Sequence, residues 1–161
     1  MTGRQLYLEK VSSHKTEALF VTLTLLFLFL FAWRSKASGF DLLNTLFISL
    51  FVFFLFYSLN YKTLIIQLNK DVLQLKFGVF KWIIQTDNIE SCCLDATSIW
   101  RIGGAGIHFT SMGGRYRAMF NFLEHPRVVI GLKVKQGLVR DIAFSTRHPD
   151  KVIQLINVSS G

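Results

Sequence analysis

The sequence predicts a membrane α-hairpin near the N-terminus, followed by a mostly-β domain that ends in one helix. Three observations lead to this prediction. Residues 18–61 are almost free of charge and rich in phenylalanine and leucine. After residue 62, apolar and polar residues alternate, which is typical of half-buried strands. After Pro149, the apolar spacing is that of a helix. We therefore divide the chain into a polar arm (1–17), a helical hairpin (18–61) and a β domain (62–161).

The composition agrees with this uneven division. Hydrophobic residues make up 51% of the 161-residue chain and charged residues only 17%, whereas typical globular proteins carry about 25% charged residues. The net charge is +8. Excess positive charge favours anionic partners, which include acidic lipids, nucleic acid and acidic protein surfaces, and it does not choose among them.

Two uncharged segments, 18–33 and 42–61, are the predicted membrane spans. The first is roughly 24 Å long at about 1.5 Å per residue, slightly less than the apolar core of a bilayer, about 30 Å. Tyr57 and Tyr61 stand where interfacial aromatic residues belong. The alternatives for the first span are a cleaved signal peptide and a buried helix of a soluble domain. Lys36 makes the following sequence a poor cleavage site, and the span has no polar stripe.

The short connector at 34–41 requires the two spans to form an antiparallel hairpin, so that both of its ends lie on one side of the membrane. Five basic residues flank the hairpin on that side, and two lie in the connector. The positive-inside bias therefore predicts that both termini and the β domain are cytoplasmic. The five are Arg4, Lys10, Lys15, Lys62 and Lys70, and the two are Arg34 and Lys36.

Alternation and turn residues predict a succession of hairpins in the β domain. An apolar face on the helix after Pro149 would close the open end of the curled sheet. In the strand at 115–122, even-numbered residues are predicted to face inward and odd-numbered ones outward. The predicted strands are 63–68, 72–77, 80–85, 89–94, 107–111, 115–122, 128–135 and 138–144.

The residues that could carry chemistry show no catalytic or metal-binding pattern. Cys92 and Cys93 are predicted to be free thiols, one buried and one half-exposed, because a bridge between neighbours would be strained. The glycines of 103–106 lack the context of a phosphate-binding loop and are predicted to form a bend. Histidines are widely spaced and carboxylates are unpaired. We therefore predict no catalytic residue, no cofactor and no metal site.

Basic residues in the second half of the β domain form the predicted binding site. Two of them share one face of a predicted strand, and two share one face of another. If the two strands are neighbours, these four cations form one exterior patch that attracts an anionic headgroup or partner. A solvated basic surface is the alternative. Nucleic acid is not expected, because Tyr116 and Phe120 are predicted to face inward. The four are Arg115, Arg117, Lys133 and Lys135, and Arg101, Arg127 and Arg140 lie near them in the sequence.

Several strings resemble bacterial pleckstrin-homology-like (PH-like) domains that are attached to membrane hairpins. The resemblance covers about residues 62–157 and includes the two-helix anchor. It implies a PH-like seven-strand barrel or sandwich capped by a C-terminal helix, with no catalytic residues, at a bacterial inner membrane. The strings are Phe77-Gly78-Val79-Phe80-Lys81-Trp82, Ile89-Glu90-Ser91, the run from Trp100 to Ile107, Gln136-Gly137 and His148-Pro149.

The function predicted from these features is a non-enzymatic, membrane-anchored interaction or assembly module that binds a membrane-protein partner or forms a homo-oligomer. The hairpin already holds the domain at the bilayer, so that a separate lipid-targeting site is unnecessary. The first alternative is a protein that binds anionic lipid headgroups. The second is a small transport-related subunit, which is disfavoured because neither span contains an ionisable residue.

Overall fold

The computed structural model describes the backbone of residues 5–160 and the side chains of all of these except residues 38, 99, 100 and 160. Within this part of the chain, two long helices form a hairpin and nine strands form two sheets. The helices are α1 His14–Ser38, α2 Leu42–Asn60, α3 Ile99–Ile102 and α4 Pro149–Ser160. The strands are β1 Gln5–Ser12, β2 Thr63–Asn69, β3 Val72–Phe77, β4 Phe80–Gln85, β5 Ile89–Asp95, β6 Gly106–Met112, β7 Arg115–Asn121, β8 Arg127–Gln136 and β9 Val139–Ser145.

Helix α1 is longer than the predicted span 18–33 at both ends. Ser13 caps its start, because the Ser13 hydroxyl accepts a backbone N–H at 3.1 Å. Gly39, with a φ of +71°, follows its end. The connector is therefore only residues 39–41, instead of 34–41. An apolar run marks the part of a helix that suits lipid, whereas polar caps decide where the helix begins and ends.

Polar bonds at the connector and aromatic contacts between the two helices stabilise the hairpin. Asp41 caps α2 by accepting from the Asn44 N–H at 2.9 Å, and it pairs with Arg34 at 2.7 Å. These bonds, chiefly that from Arg34, hold the pKa of Asp41 below its usual value. The rings of Phe27 and Phe54 stack between the helices at 5.4 Å. Both helices are long and apolar enough to cross a membrane, and most of their residues are exposed.

The first sheet has the order β1-β2-β3-β4, and the second has the order β5-β8-β9-β7-β6. Every pair is antiparallel except β7 with β9, which is parallel. All eight strands predicted after residue 62 are present within one residue of their predicted bounds. The described residues thus form nine strands in two sheets, where the family resemblance implied seven.

The N-terminal segment, predicted as a polar arm, forms an edge strand. β1 pairs with β2 across the whole helical hairpin, so that Val11 lies opposite Leu64. Tyr7, Glu9 and Val11 face the interior. The alternation of apolar and polar residues did not indicate this strand, because the charged Glu9 lies in the middle of its inward face.

Glu9 joins β1 to the segment that leads into α4. Its carboxylate accepts hydrogen bonds from the Tyr7 hydroxyl at 2.9 Å, the Thr146 hydroxyl at 2.6 Å and the Arg147 backbone N–H at 2.9 Å. Burial, together with the Glu9 carboxylate, raises the pKa of Tyr7 to about 12. A buried carboxylate with three donors is satisfied, and this explains why it is tolerated in the interior.

We expect Glu9→Gln to lower the free energy of unfolding by about 2 kcal/mol, because the new amide group cannot accept from all of these donors. Denaturant unfolding in mild detergent, followed by tryptophan fluorescence, measures the loss. Glu90→Gln, at an exposed position of β5, is the control and should change the free energy by less than about 0.5 kcal/mol. Equal losses in the two variants would contradict the role of Glu9.

The main core lies between the two sheets, and α4 closes it. α4 packs on β5 and on the short 3-10 helix Thr86–Asn88, and it buries Val152 and Ile156. This confirms that a C-terminal helix closes the sheets. The largest core side chains come from both sheets: Leu64, Ile66, Leu68, Leu73, Leu75 and Phe77 from the first, and Phe120, Ile130, Leu132 and Phe144 from the second.

The segment 96–105 covers the outer face of the second sheet. Ile102 packs there on Met119 and Ala143, and the Asn121 amide donates to the Gly104 carbonyl. Met119 and Asn121 were predicted to face outward, and they are nevertheless fully buried because this segment lies over them. Positive φ angles at three of the glycines of 103–106 confirm the predicted bend.

Candidate functional site

The four predicted site residues do not form one patch. Arg115 and Arg117 lie on β7, Lys133 and Lys135 lie on β8, and β9 runs between these two strands. Strand order within a sheet depends on long-range pairing, which the local sequence pattern does not report. The assumption that the two strands are neighbours is therefore wrong.

Arg117 belongs to an ion-pair network on the outer face of the second sheet. Its guanidinium lies 3.2 Å from Asp141 and 3.7 Å from Asp95, and its side chain is only 12% exposed. Arg127 pairs with Asp95 at 3.2 Å, and Arg115 reaches Asp141 at 3.5 Å. Since Arg117 is almost covered and already pairs with two buried carboxylates, this side chain is not available to an external anion.

Lys133 is also engaged, because its ammonium donates to the Asp87 carbonyl at 2.8 Å. Arg115 and Lys135, in contrast, meet at one surface groove together with Arg140. We call this the basic groove; its volume is about 340 Å³. It is lined by Gly114, Arg115, Tyr116, Lys135, Leu138 and Arg140.

Arg140 lines the basic groove, although it was not one of the four residues of the predicted patch. The turn was predicted at Gln136-Gly137, whereas the observed pairing of Gln136 with Val139 moves it to Gly137-Leu138. The two strands then bring Lys135 and Arg140 together just beyond that pair. The sequence carries a signal for this register, because Gly137, at φ +63°, suits the first position of a two-residue turn.

Tyr116, predicted to face inward, is 39% exposed. It lies on the same face of β7 as Ala118 and Phe120, which are buried, whereas Tyr116 itself is not. Its ring stacks at 5.7 Å on Phe109, which is itself 48% exposed. Alternation predicts the face of a residue but not how far the opposite sheet extends. The argument against nucleic acid that relied on an inward Tyr116 therefore no longer holds.

An apolar cleft continues from this aromatic pair, between the edge strands β4 and β6. We call it the edge seam. The Trp82 ring lies 6.5 Å from that of Phe109 and 6.0 Å from that of Phe120. A cavity of about 120 Å³ opens here. It is lined by Phe80, Lys81, Trp82, Ile107, Phe109 and Phe120.

The edge seam begins at the helical hairpin, and the basic groove lies at its far end. Gly106, the first residue of β6, lies against the rings of Phe20 and Tyr57. Phe80 stacks on Tyr61 with ring centroids 6.1 Å apart. From Gly106, β6 extends for about 20 Å at roughly 3.3 Å per residue before the turn that borders the basic groove. The basic groove thus lies at the end of β6 that is away from the helices.

Further grooves lie next to the helices: one of about 260 Å³ on α1, lined by Phe29, Ala32, Trp33 and Lys36, and two along α2. The larger, about 710 Å³, runs along the exposed face of α2. Its nearly apolar walls are what a lipid-facing helix provides, so it does not single out a ligand. The smaller, about 230 Å³, lies at the end of α2, where Lys62 and Lys76 line it.

The remaining groups that could carry chemistry are dispersed. Within residues 5–160, no three His, Cys, Asp or Glu side chains come together in a way that could hold a metal ion. Both thiols are free and Cys92 is buried, as predicted, whereas Cys93 is exposed instead of half-exposed. Burial, with a smaller effect of Cys93, raises the pKa of Cys92 to about 12, so that its thiol stays protonated at neutral pH.

Comparisons with known proteins do not place the chain in a class. No protein-family model matches it, no curated protein matches it, and no solved structure matches it. Its function is therefore inferred from the apolar hairpin, the edge seam and the basic groove.

Proposed function

We propose that the chain is a non-enzymatic, membrane-anchored interaction module that binds a protein partner at the basic groove. The observation that carries this proposal is the position of the groove. Three cations and two exposed apolar side chains, those of Tyr116 and Leu138, converge at the end of the sheets that lies away from the helices. A mixed cationic and apolar surface of this kind suits a protein partner.

The exposed apolar surface of α1 and α2 supports the membrane anchor. A soluble protein rarely leaves so large an apolar surface uncovered, and most of both helices is uncovered by the rest of the chain. Cleavage of α1 as a signal peptide would also remove β1, which completes the first sheet. The excess of basic residues at the sheet-proximal end supports a cytoplasmic domain at a bacterial inner membrane.

We also propose that the sheet domain is a variant of the PH-like fold. Two packed sheets closed by a C-terminal helix support this proposal. The strand contributed from before the hairpin and the parallel pairing of β7 with β9 depart from that pattern.

A second function, binding of anionic lipid headgroups, is supported by the smaller groove at the end of α2. Lys76 and Lys62, which also pairs with Glu17 at 3.1 Å, line it beside the last turn of the helix, where headgroups of the same bilayer would lie. Each basic residue near such a surface contributes about 1 kcal/mol of attraction.

Purification of the tagged full-length chain in mild detergent, with mass spectrometry of retained proteins, tests the leading proposal. We expect one stoichiometric partner, retained about ten-fold less by the double variant Lys135→Glu and Arg140→Glu, since two rim charges are reversed. Lys70→Glu changes an exposed charge in the β2–β3 turn that does not line the groove, and it should retain the partner fully. A strictly monomeric chain with no co-purifying protein would contradict the proposal.

A further inference from the structure

We propose that the edge seam and the basic groove together bind one extended, acidic segment of the partner, which adds as a β-strand to the free edge of β6. This inference rests on the proposed function and specifies the chemistry of the partner. It follows from a free strand edge, a cavity of side-chain size and a cationic groove that lie in line.

The free edge is that of β6. Among the described residues, β6 pairs on one side with β7 and ends the second sheet on the other. The two-residue turn Gly113-Gly114, with φ of +58° and +77°, makes Met112 and Arg115 a hydrogen-bonded pair. By the alternation of an antiparallel ladder, the backbone groups of Ile107, Phe109 and Ser111 then point away from β7. An added strand satisfies such groups.

The cavity of the edge seam accepts one apolar side chain of the added strand. Its volume is about 120 Å³, which equals about four water molecules at roughly 30 Å³ each. A leucine or isoleucine side chain has four heavy atoms and is of that size. Aromatic rings of Trp82, Phe109 and Phe120 provide its walls.

The basic groove selects acidic side chains in the same strand. Arg115, Lys135 and Arg140 converge there, and within the described part of the chain the one carboxylate bonded to any of them is Asp141, at 3.5 Å from Arg115. The Arg140 Nε is buried and makes no hydrogen bond within the described residues. The groove therefore retains positive charge that a glutamate or aspartate of the partner can neutralise.

The distance between cavity and groove fixes the spacing in the partner. From the level of Ile107 and Phe109 to the turn at Gly113-Gly114, β6 advances by about four residues, or about 13 Å. Side chains of a strand share a face only at even spacings. The partner segment should thus carry an acidic residue four positions from its apolar anchor.

A phospholipid fits these features less well. An acyl chain offers no hydrogen-bonding groups to the edge of β6, and a cavity of about four water volumes is too small for it. Lipid binding is therefore the competing outcome of the test.

The spacing is tested with labelled synthetic peptides and the full-length chain in nanodiscs of zwitterionic lipid, by fluorescence anisotropy. The peptides place one leucine and one glutamate three, four or five positions apart, in both orders, in an otherwise threonine-rich sequence, since an added strand can run parallel or antiparallel to β6. In one of the two orders, we expect the four-position peptide to bind at least about ten-fold more tightly than the three- and five-position peptides. Equal affinities, or no binding by any peptide, would overturn the inference.

Edge pairing is tested with Ser111→Pro, which removes an outward N–H and leaves the β6–β7 ladder intact. Ser111→Ala keeps the N–H and is the matched control. We expect about ten-fold weaker binding of the four-position peptide by the proline variant alone. Unchanged thermal unfolding of both variants shows that they are folded. Equal binding by the two would overturn strand addition.

The charge test uses the double variant Lys135→Glu and Arg140→Glu, with Lys70→Glu as control. Only the double variant should lose peptide binding. If native mass spectrometry instead finds an anionic phospholipid that only the double variant loses, and the peptides do not bind, the groove is a lipid site. A third outcome is that a protein co-purifies equally well with Ser111→Pro, and that the peptides bind with the same affinity at every spacing. This result would overturn the strand inference and leave the proposed function in place.

Discussion

Replacing Asp95 by asparagine is expected to lower the free energy of unfolding by about 4 kcal/mol, because it removes a charge from a buried ion-pair network. The Asp95 side chain is 3% exposed and lies 3.2 Å from Arg127 and 3.7 Å from Arg117. Both guanidinium groups would keep their charge. Arg117 would keep Asp141 as its partner, whereas Arg127 would keep the Thr97 carbonyl but no carboxylate among the described residues. Thermal and denaturant unfolding in mild detergent measure the loss.

The Asp95 carboxylate should also make the free energy of unfolding depend on pH in the acidic range. Burial acts to raise the pKa of Asp95, but hydrogen bonds from Thr97 and the nearby Arg127 outweigh it and hold that pKa below its usual value. Its stabilisation is therefore complete above the unfolded-state pKa, about 3.9, and is lost as the pH falls through the lower folded-state pKa. Asp95→Asn should unfold with a weaker pH dependence below about pH 4 than the unchanged chain.

Asp71→Asn is the matched control, because Asp71 is exposed in the turn between β2 and β3. Its effect should stay within about 0.5 kcal/mol. A loss of stability in Asp95→Asn no greater than in this control would show that the network does not stabilise the second sheet.

Gly78→Ala is expected to cost about 3 kcal/mol of stability, from two additive causes. Gly78 has a φ of +60°, which disfavours any side chain. A Cβ there would also clash with the backbone oxygen of Asn60, the last residue of α2. The Asn60 backbone cannot move aside as a side chain can. The turn between β3 and β4 would therefore have to shift away from the C-terminal end of α2. Loss of thermal stability, with altered fluorescence of Trp82, reports this.

Gly137→Ala separates the two causes. Gly137 has a similar φ of +63°, but a Cβ there would meet nothing within 4 Å. Gly137→Ala should therefore lower the free energy of unfolding only by the cost of the positive φ, about 1 kcal/mol. If the two variants lose the same stability, contact between the turn and α2 does not contribute.

Local patterns predicted what depends on neighbours in the chain. The eight strands after residue 62 and the apolar faces of β2 and β3 follow from alternation. The polar strand β1 was missed because the three donors that make Glu9 acceptable include two groups more than 130 residues away in the chain. For the same reason, Arg117 was assigned to the surface: its partners lie on β5 and β9. Pairing between distant strands, which also places β9 between β7 and β8, leaves no local periodic signal.

The edge strand β1 has a consequence for the order of assembly. It is made before α1, yet its partner β2 follows α2, so that pairing closes a loop that contains both helices. In the proposed arrangement, the first sheet is completed only when both spans have crossed the bilayer and returned their ends to one side. A hairpin inserted with one helix missing or inverted leaves β1 unpaired and the interior contacts of Tyr7 and Glu9 unmade. Such a chain exposes a strand edge and core residues that proteases attack. The sheet domain thus makes correct insertion a condition of its own stability.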